Sequence, residues 1–209
     1  MDSEPRVFVV DDDRALLTAI ERVLSSSGHR VQTFTSPAFF MEQLPYDGPA
    51  CLVLDLRMPE LSGLDVQEWL AFKGITMPTV FLSGASDVRS TARAMRKGAV
   101  DFLVKPVDEN DLLAAVSRAL AAAVEGRRRR REEDQSVQRL SRLTRRERQV
   151  CELIARGLLN KQIAYELGTS EKTIKVHRGH VMRKLEVDSV AGLVWLLSRL
   201  PASSSVGSS

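Results

Sequence analysis

Five short apolar runs, separated by segments of helical periodicity, restrict the fold of this chain more than any other feature. The runs occupy residues 7–10, 31–34, 51–54, 79–82 and 100–104. Short, mostly apolar runs of this length are typical of strands buried on both faces of a parallel sheet, and helices are the usual connections in such a sheet. We therefore expect residues 1–122 to form an α/β domain with a doubly wound, five-stranded parallel sheet.

Polar side chains follow these runs at the carboxyl ends of the predicted strands, where parallel sheets bind ligands. They are Asp11, Asp12 and Asp13 after the first run, Asp55 after the third, Ser83 after the fourth and Lys105 after the fifth. Clustered carboxylates repel one another unless a cation lies among them, and oxygen ligands favour Mg²⁺. A lysine and a hydroxyl beside Asp55 favour phosphoryl transfer onto that carboxylate. Taken singly, Asp13 would be an ordinary helix N-cap and Lys105 a solvated lysine.

Residues 5–122 resemble the receiver domain of bacterial response regulators, which has a flavodoxin-like fold. The resemblance is carried by four motifs in this order: Val9-Val10-Asp11-Asp12-Asp13, Asp55-Leu56-Arg57-Met58-Pro59 with Gly63, Ser83-Gly84, and Phe102-Leu103-Val104-Lys105-Pro106. It implies that Asp55 accepts phosphate from a sensor histidine kinase. It also implies an Mg²⁺ ion bound by Asp12, Asp55 and the backbone carbonyl of Arg57, with Asp11 binding through water.

The same resemblance assigns roles to the end of the predicted sheet. Lys105 would contact the phosphoryl group, and the peptide bond to Pro106 is expected to be cis. Ser83 and Phe102 would form a switch that responds to phosphorylation. A phosphatase of the haloacid-dehalogenase type would also form a phospho-aspartate, but its general acid stands two residues after the nucleophile, where this chain has Arg57.

A charged linker separates two halves of opposite charge. Residues 1–120 carry 12 basic and 17 acidic side chains, whereas residues 121–209 carry 18 basic and 10 acidic ones, which favours a polyanionic partner for the second half. Opposite charges four residues apart, such as Arg128 and Glu132, favour a helix in the linker 123–142, and Gly126 opposes it. A helical linker is the expectation and a disordered tether the alternative. Residues 201–209 are expected to be disordered.

Residues 143–200 show the pattern of a small all-α domain of four helices. Thr144 and Glu147 match a capping box, Asn160 is predicted to cap the second helix, and Gly168 ends it. The turn Leu167-Gly168-Thr169-Ser170 before the third helix is typical of a helix-turn-helix.

The third helix, residues 171–185, has two distinct faces on a helical wheel. Its predicted core face contains Ile174, His177, Val181 and Leu185. Its predicted outer face contains Lys172, Lys175, Val176, Gly179, His180 and Arg183. A glycine inside a helix costs about 1 kcal/mol relative to alanine, so Gly179 indicates close approach of DNA. The plainer alternative is a cationic surface helix.

Residues 143–197 resemble the LuxR-type DNA-binding domain. The resemblance is carried by Leu143-Thr144-Arg145-Arg146-Glu147-Arg148-Gln149-Val150, Asn160-Lys161-Gln162-Ile163-Ala164, Thr173-Ile174-Lys175-Val176-His177-Arg178 and Arg183-Lys184-Leu185. It implies that the third helix enters the major groove. It also implies that Thr173 contacts DNA together with the outer-face residues named above. It also implies that the last helix pairs two subunits through Val190, Leu193 and Val194. Gly179 stands where some relatives have a contacting Lys, a contact that Arg183 or His180 would take over.

A receiver followed by a LuxR-type domain is similar to the NarL/FixJ response regulators, and most of all to the FixJ branch. The resemblance implies a cytoplasmic, non-enzymatic transcription factor that is phosphorylated with Mg²⁺, dimerises, binds promoter DNA and works with RNA polymerase. A receiver acting mainly through protein contacts is the alternative. No signal peptide or membrane span is expected. The receiver is expected to pair with itself through a basic helix beside the fifth run, with Arg89, Arg93, Arg96 and Asp101.

Overall fold

The computed structural model describes residues 4–84 and 96–199. Within these residues the chain forms five strands and eight helices. It divides into two compact units, Met1–Arg127 and Arg128–Ser209. Arg89 and Arg93, predicted for self-pairing, lie outside the described residues. No helix in the described part of the chain is both long enough and apolar enough to cross a membrane.

The first unit is the predicted α/β domain. In chain order its elements before the long helix are β1 (Arg6–Val10), α1 (Arg14–Ser26), β2 (Arg30–Phe34), α2 (Pro37–Glu42), β3 (Ala50–Asp55), α3 (Gly63–Phe72), β4 (Thr79–Ser83) and β5 (Asp101–Val104). The strands are all parallel and lie in the order β2-β1-β3-β4-β5. Each predicted apolar run matches its strand to within one residue at either end. The predicted fold class is confirmed.

Helices cover both faces of the sheet at its central strands, which explains why β1, β3 and β4 are apolar over most of their length. Alternate residues of one strand point to opposite faces, so Val7 and Val9 enter one core while Phe8 and Val10 enter the other. Helix α1 and the beginning of the long helix cover the first face, and α2 and α3 cover the second. Cys51 lies in the first core, and burial raises the pKa of its thiol to about 12. The free thiol of Cys51 is therefore a small core residue.

Helix α4 (Glu109–Ser141) continues for 33 residues and includes all but the last residue of the predicted linker. The expectation of a helical linker is confirmed. Arg128 and Glu132 form the predicted ion pair, with 2.8 Å between Nη1 and Oε1. The boundary between the two compact units falls inside this helix, after Arg127.

The second unit contains the end of α4 and four further helices. These are α5 (Arg145–Ala155), α6 (Asn160–Glu166), α7 (Glu171–Leu185) and α8 (Val190–Ser198). Their apolar faces share one core that includes Val150, Ile163, Ile174 and Leu193. The predicted cap at Asn160 is wrong: Leu159 is the N-cap residue, and its N–H donates to Gln162 Oε1 at 2.8 Å. The Asn160 side chain instead accepts a hydrogen bond from Arg178.

A buried carboxylate at the start of α5 is held by several donors. Glu147 is 4% exposed, and its Oε2 accepts hydrogen bonds from Lys184 Nζ at 2.6 Å and from the Thr144 N–H at 2.8 Å. The Thr144 hydroxyl accepts from the Glu147 N–H, which completes the predicted capping box. These hydrogen bonds, that from Lys184 above all, lower the pKa of Glu147 to about 2.

The depressed pKa of Glu147 predicts acid sensitivity of the second unit. Because the folded-state pKa lies below the usual 4.5, the carboxylate stabilises the fold fully above about pH 5, and this contribution is lost as pH falls toward 2. Glu147→Gln should lower the free energy of unfolding by about 1.5–3 kcal/mol at pH 7 and by less at pH 3. Urea unfolding at both pH values, followed by Trp195 fluorescence in a Trp69→Phe background, measures these losses. Equal losses at both pH values would contradict the prediction.

Candidate functional site

Three carboxylates meet at the carboxyl ends of β1 and β3. These strands are neighbours in the sheet, with Val10 opposite Leu54, so the residues that follow them come together. One oxygen from each of Asp11, Asp12 and Asp55 lies within 4.8 Å of the others. Asp11 and Asp55 are buried, whereas Asp12 is exposed. The cluster thus has two buried carboxylates and one that faces solvent.

Lys105, which follows β5, bridges the two buried carboxylates. Its Nζ lies 2.7 Å from Asp11 Oδ2 and 2.9 Å from Asp55 Oδ1. The remaining oxygens are also satisfied, since Asp11 Oδ1 accepts from the Asp13 N–H and Asp55 Oδ2 from the Arg57 N–H. The Lys105–Pro106 peptide bond is cis, as predicted. Residues from three strand ends therefore converge on Asp55, as the sequence indicated.

The electrostatics of this pocket favour additional positive charge. Burial, together with the negative charge of Asp11, raises the pKa of Asp55 even though Lys105 acts in the opposite direction. Burial by itself would lower the pKa of Lys105, but its hydrogen bonds to Asp11 and Asp55 outweigh burial, so this pKa is raised. The charged form of Asp55 is therefore disfavoured even with the Lys105 ammonium group beside it. A second cation beside the carboxylates would stabilise that form.

The donor set fits a hard divalent ion. The clustered donors are carboxylate oxygens, which Mg²⁺ prefers, and they supply only a few ligands, which suits an ion that keeps several waters. Asp11, Asp12 and Asp55 could therefore hold a metal ion. The Arg57 carbonyl as a further ligand stays a prediction.

Gly63, at the first position of α3, lets this helix pack closely against the backbone of Asp55. A Cβ atom built at Gly63 would lie 2.4 Å from the carbonyl oxygen of Asp55, well inside van der Waals contact. The Gly63 N–H donates to the Leu56 carbonyl at 3.1 Å. The sequence placed Gly63 in the motif around Asp55, and the close approach of the two backbones explains why a glycine is needed there.

The predicted switch residues lie on neighbouring strands. Ser83 is fully buried at the end of β4, and its hydroxyl donates to the Gly84 carbonyl at 3.2 Å. Phe102 of β5 is partly buried against the second core. Ser83 lies next to the site, since its carbonyl accepts a hydrogen bond from the Lys105 N–H at 2.8 Å, and the role of both residues as a switch stays a prediction.

Asp101 is engaged within its own chain. Its carboxylate forms an ion pair with Arg118 of α4 and accepts a hydrogen bond from the Phe102 N–H. This intramolecular pairing was not predicted, because nothing in the sequence indicates which face of α4 borders β5. Arg96 is exposed, as a self-pairing face would require.

Helix α7 presents the predicted outer face, with one exception. Ile174, Val181 and Leu185 are fully buried. The exposed residues are Lys172, Thr173, Lys175, Val176, Gly179 and Arg183. His180 was predicted to face outward, but it is partly buried beside α5, with Nδ1 3.6 Å from Glu147 Oε1. The helical period puts His180 on the flank of the helix, between the two faces, and His177 on the predicted core face is also only partly buried.

On α8, one residue predicted to pair two subunits is buried, and one exposed residue was not predicted. Leu193 is fully buried in the core of its own unit, so it cannot line a surface, and Val190 is partly buried. Val194 is 44% exposed and Trp195 is 59% exposed. The guanidinium carbon of Arg199 lies 3.9 Å from the centre of the Trp195 ring. The sequence pattern could not separate apolar residues of α8 that face inward from those that face outward.

Comparison with known proteins finds two family matches, one in each half of the chain. The response regulator receiver domain matches residues 7–117. The luxR family of bacterial regulatory proteins matches residues 141–197.

Relatives match nearly the whole chain. Response regulator protein TmoT of Ectopseudomonas mendocina is 41% identical over 95% of this chain and 90% of its own length. Nodulation protein W of Bradyrhizobium diazoefficiens is 44% identical over 90% and 83%, and transcriptional regulatory protein FixJ of Azorhizobium caulinodans is 40% identical over 90% and 89%. Among solved structures, response regulator StyR has a TM-score of 0.86 at 45% identity and covers 94% of this chain and 100% of its own.

The close contact at Gly63 predicts a position-specific cost for adding one methyl group. Gly63→Ala should lower the free energy of unfolding of the first unit by about 1–3 kcal/mol, because the new Cβ must push against the backbone of Asp55. Gly126→Ala is the matched control: its Cβ would meet open space inside α4, so stability should rise by about 1 kcal/mol. Urea unfolding followed by Trp69 fluorescence in a Trp195→Phe background tests both. A gain in stability for Gly63→Ala would refute the contact.

Proposed function

The chain belongs to the NarL/FixJ family of response regulators, DNA-binding transcriptional regulators with a receiver domain and a LuxR-type domain, and we propose that phosphorylation of Asp55 controls its binding to promoter DNA. The observation that carries this proposal is the bridge of Lys105 between Asp55 and Asp11, beside Asp12. A reactive carboxylate, a fixed cation and a set of metal ligands are the parts that phosphoryl transfer onto aspartate requires.

The proposed reaction transfers a phosphoryl group from the phosphohistidine of a sensor kinase. An oxygen of Asp55 attacks the phosphorus, an O–P bond forms, and the P–N bond breaks with its electron pair returning to the histidine nitrogen. Lys105 holds Asp55 in place and neutralises charge on the phosphoryl oxygens. When bound by Asp11, Asp12, Asp55 and the Arg57 carbonyl, Mg²⁺ would supply further charge neutralisation. Apart from this reaction and slow loss of the phosphoryl group, we propose no enzymatic activity.

The proposed output is carried by the second unit. Lys172, Lys175 and Arg183 project from α7 into solvent, as phosphate and base contacts in a major groove would require. After phosphorylation, Ser83 and Phe102 would rearrange and two chains would pair, with Val194 on α8 and Arg96 on the receiver among the contacting residues. We place this activity in the cytoplasm, where promoter DNA and RNA polymerase are found. A receiver that acted only through protein contacts would not need the exposed cationic face of α7.

The acceptor assignment predicts that Asp55→Asn abolishes phosphorylation by acetyl phosphate in the presence of Mg²⁺. The amide cannot form the acyl phosphate, so the intact mass should show no phosphoryl adduct. Asp13→Asn is the control: Asp13 Oδ1 caps α1 by accepting from the N–H groups of Ala15 and Leu16, and an asparagine keeps this cap. It should be phosphorylated normally, and wild type treated with EDTA should not be. Full phosphorylation of Asp55→Asn would overturn the proposal.

The exposed apolar residue on α7 predicts a base contact. Val176 is 52% exposed between cationic neighbours, where it can contact a thymine methyl group. Val176→Ala should cost about 1 kcal/mol at one base pair of the selected site and leave the salt dependence of binding unchanged. Val124→Ala removes a valine of similar exposure, 47%, from α4 and should change neither quantity. Fluorescence anisotropy with single-base variants of a duplex selected from a random library provides the measurement. An unchanged base preference for Val176→Ala would show that α7 docks differently.

A further inference from the structure

Helix α7 ends at a strained residue. Its C-cap is Glu186, which has a φ of 57° and lies in the left-handed region. This conformation is unfavourable for a residue with a Cβ, and glycine is the residue that most often adopts it at the end of a helix. Backbone strain that persists at one position suggests that the side chain has a role there.

The Glu186 side chain joins α7 to the end of α4. Its carboxylate lies 2.9 Å from Nη2 of Arg139 in α4 and 3.3 Å from Nη1 of Arg142, the first residue after α4. The Glu186 side chain is 53% exposed, and ion pairs between exposed side chains contribute little to stability. Stability therefore does not explain why a strained glutamate occupies this position.

The last part of α4 packs on the second unit along one helical face. Ser136 is buried, Leu140 contacts the core of this unit, and Leu143 just beyond the helix is buried in it. Glu132, one turn before Ser136, forms an ion pair with Arg199 after α8. The end of α4 therefore forms ion pairs near the C-termini of two helices: with Arg199 after α8 and with Glu186 at the end of α7.

We propose that Glu186 is a positioning residue for DNA recognition, acting through its ion pairs with Arg139 and Arg142. By holding the end of α7 against α4, it fixes the orientation in which α7 presents its outer face. Contacts to base edges depend on this orientation more strictly than contacts to phosphates do, so the ion pairs affect specific binding most. The inference rests on the proposed DNA-binding function.

The test compares two variants that each remove one negative charge from the second unit. Glu186→Gln breaks the ion pairs with α4. Glu166→Gln is the matched control, because Glu166 is about equally exposed and its partner, Arg156 at 3.9 Å, does not lie on α4. Loss of a negative charge alone would strengthen binding of both variants to any DNA. We expect the ratio of affinities for the selected duplex and a scrambled duplex to fall roughly two- to fivefold for Glu186→Gln only. An unchanged ratio, or equal falls in both variants, would overturn the proposal.

Glu186→Gly separates positioning from stability. Glycine relieves the backbone strain, so the unfolding midpoint should stay the same or rise, yet the affinity ratio should fall as in Glu186→Gln. A ratio that followed the midpoint upward would overturn the positioning role.

Hydrogen exchange of the full chain tests the ion pairs without DNA. Glu186→Gln should accelerate exchange in residues 132–141 and at the end of α7, whereas Glu166→Gln should not. Unchanged exchange in Glu186→Gln would overturn the inference. If wild type showed no preference for any duplex, the proposed function would fail instead, and hydrogen exchange would still decide whether the ion pairs hold α4.

Discussion

Parallel pairing of β1 with β3 brings Asp11 and Asp55 within reach of one ammonium group, and the chemistry of the first unit depends on this geometry. Antiparallel neighbours would place the two carboxylates at opposite edges of the sheet. Because every strand in this sheet runs the same way, Lys105 also reaches the site from β5. The two apolar layers on the faces of the sheet keep the strands in register and bury Asp11 and Asp55 at its edge.

The strands and the pocket could be predicted from the sequence because both follow from local patterns. A run such as residues 51–54 is apolar throughout because both of its faces are covered, and Asp55 marks the point where the strand leaves the core. The carboxyl ends of parallel strands lie at one edge of the sheet, so the pocket could be predicted without knowing how side chains pack. The burial of Ile174 and Val181 followed in the same way from the helical period.

Contacts between elements distant in sequence were not predictable in this way. A helical wheel gives the direction of a side chain but not what lies beside it, so it could not reveal that Glu147 borders His180. It likewise could not show that Leu193 faces its own core while Trp195 faces solvent. The Asp101–Arg118 ion pair and the packing of Ser136 depend on where α4 lies, which no local pattern records.

The burial of both thiols has a practical consequence for spectroscopy. Cys51 and Cys151 are the two cysteines of the chain, both are buried, and burial also raises the pKa of Cys151 to about 11. A protonated thiol inside a core reacts slowly with maleimides and other alkylating reagents. A cysteine introduced on the exposed surface of either unit would therefore accept a fluorophore or a spin label selectively. Distance measurements between the receiver and the DNA-binding unit can thus begin from the native chain, with its own cysteines left in place.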